Sequence, residues 1–181
     1  MIDPQKLSFS DLLSTPIKHL KLGLNDQQKM AIKLLDHRLK NLGVKWRPHF
    51  WFSDEWFSPD RIGGVALPFT LAHPKLISLE KKYLGFCEGS NNKHFLKLLC
   101  HEAAHAIDNA YGLRKNKERQ KVFGLSSKPY PTSYRPRTNS NNYIDFLGDF
   151  YAQAHPDEDW AETVGHILFY LSLIHISEPT R

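Results

Sequence analysis

A helical segment carrying His-Glu-x-x-His in its middle constrains this chain more than any other feature. The stretch Leu99-Cys100-His101-Glu102-Ala103-Ala104-His105-Ala106-Ile107-Asp108 is otherwise mostly apolar, and helical spacing stacks His101 and His105 on one face with Glu102 beside them. Two histidines flanking a glutamate on such a helix would bury a charge at a cost of several kcal/mol unless it were paired. A metal ion removes that cost. A catalytic zinc site needs two imidazoles at about 2.0–2.1 Å, a third protein ligand and one open position for water. The fold must therefore bring a third donor to the middle of this helix.

The helix itself is predicted from about Lys93 to Tyr111. Phe95, Leu98, Leu99, Ala103, Ala106 and Ile107 form its apolar side, Gly89-Ser90-Asn91-Asn92 supplies a turn before it, and Gly112 stands where left-handed C-caps occur. Upstream, residues 1–24 read as an irregular lead-in with Leu12, Leu13, Ile17, Leu20 and Leu22 available for packing. Asn25 caps a helix through Leu42, with Ile32, Leu35 and Leu39 as its apolar stripe and Gly43 as its stop. Trp46, Phe50, Trp51, Phe52, Trp56 and Phe57, then Ile62 to Phe69, read as short strands of a twisted sheet; without interleaved Lys and Arg the aromatics belong to a core. Pro74 opens a short helix over Lys75–Lys82, and Tyr83–Glu88 reads as a further strand. Lys128–Asn142 is a long irregular loop, and a last helix starts near Pro156 with acidic residues in its first turn. His155 and His166 are expected to be structural or at the surface, and His49 and His73 to be turn residues.

Composition sets the outer bounds. The 181 residues are 41% hydrophobic, enough for one domain with a sizeable core. Two cysteines, Cys87 and Cys100, make no disulfide framework or metal pair, so they pack and a reducing compartment fits. No apolar run approaches the roughly 18 residues of a membrane span and no leader precedes the domain, so a cytoplasmic location with no membrane partner is expected. The formal charge of +5 is concentrated in Arg114–Lys121, where five basic residues meet one acidic one. That run, extended to Arg137, could touch nucleic acid, but a solvated face is the expectation. Leu171–Arg181 reads as a translated sequencing adapter, a non-native tail on a C-terminally truncated domain spanning residues 1–170. On that reading His175 and Glu178 are not ligands.

The third donor must come from far along the chain. Glu158 and Glu162 lie four apart on one helical face, so either could bind the metal while the other supports an imidazole. His101-Glu102-x-x-His105-x-x-Asp108 followed by Glu158-x-x-x-Glu162 resembles the gluzincin pattern of thermolysin-like metallopeptidases. Most of residues 10–170 resembles a bacterial family of zinc-binding metallopeptidases. That likeness is carried by Arg47-Pro48-His49, Leu71-Ala72-His73-Pro74, His101–Tyr111, Ser127-Lys128-Pro129-Tyr130-Pro131 and Tyr151–Glu162. Ala104 departs from it, standing where relatives carry glycine.

The resemblance implies an α+β, zincin-like domain with a small mixed twisted sheet packed on the active-site helix. It implies Zn2+ held by His101, His105 and Glu158, with Glu162 supporting His101 and Asp108 orienting His105. The implied activity is peptide-bond hydrolysis of a peptide or protein substrate through a zinc-activated water. Glu102 would be the general base and Tyr151, at the spacing of a zinc-facing tyrosine in one gluzincin, an oxyanion donor. A zinc-binding module without cleavage is the alternative.

Overall fold

The computed structural model describes residues 1–174, with side chains to Tyr170. Of the expected foreign tail only the backbone of 171–174 is described; His175 and Glu178 lie outside the described residues. Among the described residues, six α-helices, short 3-10 turns and two strands give an α+β architecture.

Helix α1 (Phe9–Ser14) sits in the lead-in, N-capped by Ser8. Leu12 and Leu20 bury against Leu76 in a small satellite core, which ties the lead-in to the body. Helix α2 (Asp26–Asn41) starts on a reciprocal capping box between Asn25 and Gln28. It buries Leu35 and Leu39, while Ile32 is partly buried. The Gln28 side-chain amide also donates to the Leu71 carbonyl at 3.0 Å, fastening α2 to the turn before the next helix.

Strands β1 (His49–Ser53) and β2 (Gly64–Pro68) pair in parallel, His49 opposite Gly64 and Ser53 opposite Pro68. Within the connection, Phe57 doubles back to make one antiparallel bridge to Ala66, so β2 is flanked on both sides. Every residue of β2 is buried, as expected of a strand covered on both faces. Among the described residues the small sheet expected is thus two parallel strands, with the single antiparallel bridge at Phe57 as its mixed element. The strand anticipated at Tyr83–Glu88 is absent. Helix α3 (Pro74–Leu84), capped by His73, takes Tyr83 into its last turn, and Gly85 ends it with φ 80°. That geometry is helix termination, and it leaves Tyr83, Leu84 and Phe86 exposed.

Helix α4 (Asn92–Tyr111) is capped by Asn91 and stopped by Gly112 at φ 62°. It is buried without interruption from Leu98 to Asp108. Helix α2 and strand β2 pack on it from one side and helix α6 (Pro156–Ile174) lies beside it. The α4–α6 approach depends on Gly165, because a Cβ there would stand 3.1 Å from the His101 Cα. The core fills the space between, with Leu35, Leu39, Val65, Leu67, Phe95, Leu99, Phe146 and Leu168. Helix α5 (Lys117–Phe123) is short and docks on α6. No helix among the described residues is long and apolar enough to cross a membrane.

Candidate metal centre

The i, i+4 spacing on α4 brings the His101 and His105 rings to a centroid separation of 5.0 Å with planes 76° apart. The first turn of α6 supplies the third donor. Glu158 Oε2 lies 3.3 Å from His101 Nε2 and 3.3 Å from His105 Nε2. Donors about 2.0–2.2 Å from a tetrahedral metal are separated by about 3.3–3.6 Å, so the two measured edges fit zinc. His101, His105 and Glu158 together form a group with a metal-ligand donor set.

Glu162, one turn further along α6, has no exposed surface and accepts from His101 Nδ1 at 3.0 Å. Its other oxygen takes the backbone N–H groups of Phe146 and Leu147 at 2.7 and 3.0 Å. A carboxylate can only accept, so the His101 Nδ1 carries a proton and Nε2 is turned towards Glu158. Glu102 lies in the wall of a cleft of about 280 Å³ that opens onto His101, His105 and Glu158. Trp56, Arg114 and Tyr151 also line it.

Burial alone would disfavour charge on His101, but hydrogen bonds to Glu158 and Glu162 outweigh it and raise the imidazole to about 10. Burial likewise disfavours charge on Glu158, and the two histidines outweigh it and hold this carboxyl below the usual carboxylate range. Glu102 moves the other way: burial pushes its carboxyl up against the pull of His105 and His101. Burial and then Glu158 raise the Tyr151 phenol to about 12, so it remains a donor.

Asp108 is placed differently from the expectation. No hydrogen bond links it to His105; Arg119 Nη2 donates to its Oδ2 at 2.7 Å, and Arg114 Nε lies 3.5 Å away. The same Arg119 nitrogen donates to Asp157 at 2.7 Å, and Ser126 donates to that carboxylate too. The guanidinium attracts Asp108 more strongly than a neutral imidazole would. The basic run is thereby divided, since Arg119 is buried and Arg114 is pinned to Asp60, Asp108 and Asp157. Lys115, Lys117 and Lys121 remain exposed.

His155 is buried: its Nε2 donates to the Lys128 carbonyl at 2.8 Å and its Nδ1 accepts from the Asp157 N–H at 3.1 Å. Sequence reasoning assigned no role to Tyr130, Arg119 or Asp157. Tyr130 and Asp157 lie inside the family-like strings quoted above, whereas Arg119 was hidden among charges of the same sign. A second acidic group, Asp145, Asp149 and Glu162, serves backbone N–H groups of the preceding loop and first turn instead.

No family model, curated protein or solved structure matches the chain. The functional reading rests on the residues and their geometry.

Proposed function

We propose that this chain is a zinc-dependent peptidase with a zincin-like arrangement, using His101, His105 and Glu158 as metal ligands. The observation that carries the reading is the convergence of Glu158 Oε2 on both Nε2 atoms beside a buried Glu102 in an open cleft. Zinc bound by these three donors would polarise a scissile carbonyl and lower the pKa of a coordinated water towards about 7.

The protein's own residues supply the rest. Glu162 keeps the His101 proton on Nδ1, leaving Nε2 for the metal. Glu102 accepts a proton from the attacking water and returns it to the leaving amine. Tyr151 offers its phenolic proton to the developing oxyanion from the cleft wall. Trp56 and Arg114 line the same cleft, where the peptide would lie.

The test is metal analysis with peptide-library cleavage on the wild type and Glu102→Gln. About one zinc per chain is expected, with cleavage reduced by about 10²- to 10⁴-fold in the variant. Protein without stoichiometric zinc, or undiminished cleavage by Glu102→Gln, overturns the reading. Zinc without cleavage by the wild type establishes a metal-binding module instead.

A further inference from the structure

The Ser127–Pro131 segment has no part in the reading above, yet its tyrosine reaches the proposed metal centre. Tyr130 Oη donates to Glu158 Oε1 at 2.8 Å, while Oε2 of the same carboxylate faces His101 and His105. The two oxygens of Glu158 are thus divided between a phenol on one side and two imidazoles on the other.

The phenol is held in place from both ends. Its ring stacks on His155 with centroids 3.8 Å apart and planes 13° apart. His155 is in turn bonded to the Lys128 carbonyl and the Asp157 N–H. Ser126, four residues before Tyr130, donates to the Asp157 side chain at 2.5 Å. An otherwise irregular loop is therefore clamped to His155 and Asp157, just before Glu158. Tyr130 is half-exposed, so packing alone does not account for this placement.

We propose that Tyr130 is a positioning residue for Glu158: its hydroxyl occupies Oε1, so that Oε2 alone is presented to the metal. This rests on the metal-centre reading. Hydrogen bonds to the far side of a metal ligand are generally worth about 10–100-fold in metal affinity, because they fix the ligand's orientation before binding. Without the hydroxyl, the Glu158 carboxylate can rotate and present either oxygen or both.

The experiment is a zinc competition titration against a chromophoric chelator, with the visible spectrum of the cobalt-loaded protein as a second readout. Tyr130→Phe should bind zinc about 10–100-fold more weakly than the wild type, with altered cobalt bands and an unchanged urea midpoint for the metal-free protein. Tyr134→Phe, whose hydroxyl contacts the Asp149 carbonyl instead, should match the wild type. In a Glu158→Ala background the Tyr130→Phe loss should vanish. Wild-type affinity and spectrum in Tyr130→Phe, or an equal loss in the Glu158→Ala background, overturn the proposal. A wild type that takes up no zinc overturns the metal-centre reading itself.

Discussion

Two buried polar nodes join α4 to α6, and they neutralise their carboxylates in opposite ways. In one, Asp108 and Asp157 share the guanidinium of Arg119, with Arg114 Nε 3.5 and 3.3 Å from the same two carboxylates. In the other, Glu158 faces two imidazoles and Glu162 backs one of them. The first node carries its own permanent cation and borders the cleft only through Arg114. The second has donors that are cationic only when protonated, and it opens into the cleft. Neighbouring residues, Asp157 and Glu158, belong to different nodes because they point to different sides of the same helical turn. A carboxylate paired with arginine is structural. One paired with histidines can exchange a proton for a metal.

The contrast is most severely tested at Arg119. Arg119→Ala leaves Asp108 and Asp157 buried without their shared cation and should destabilise by about 3–5 kcal/mol, read by urea denaturation. Added zinc should restore none of this if the nodes are independent. Glu162→Ala addresses the other node. It should weaken zinc binding by about 10–100-fold through His101 and leave two backbone N–H groups unpaired, measured by chelator competition and thermal melting together. Gly165→Ala affects both nodes through the helix contact. Overpacking against the His101 backbone should cost about 1–3 kcal/mol, and zinc affinity should fall with stability.

A smaller effect comes from pH. Burial alone would raise the Asp157 carboxyl, but hydrogen bonds from Ser126 and Arg119 outweigh it and hold it below its ordinary 3.8. A group depressed by folding adds stability above its unfolded value and loses it as pH falls through its folded value. The stability gap between wild type and Asp157→Asn should be full at pH 6 and shrink below pH 4 in urea melts. A gap that widens on acidification contradicts the assignment. The smallest effect concerns Cys100, which reports whether α4 stays packed between the nodes. Burial pushes its thiol up to about 12, so it should resist alkylation at pH 8 in native protein and react only on unfolding.

Much of this arrangement was legible from residue order. The α2 and α4 helices carry their own caps, Asn25 with Gln28 and Asn91 with Gly112, and such local signals act over one turn. Tyr83–Glu88 read as a strand because its side chains suit one, yet Gly85 had already closed a helix there. The family resemblance implies that Asp108 orients His105. Its actual partner, Arg119, comes from the next helix, and only packing of α5 on α6 brings it there. Tyr130 lies in a loop without periodicity, so nothing local predicted its reach to Glu158.

The sequence by itself determined that two imidazoles and a glutamate share one buried helix, because helical periodicity is a local property of the backbone. It also placed two carboxylates one turn apart on a second helix, which spacing alone does not rank and the family resemblance ranks with Glu158 as the ligand. Tertiary structure decided what each one faces: with α6 close against α4 at Gly165, Glu162 meets His101 Nδ1 and Glu158 meets the Nε2 atoms of both histidines. It also decided which arginines are internal. Contacts between distant segments depend on how the faces of separate elements meet, and no window of sequence contains that information.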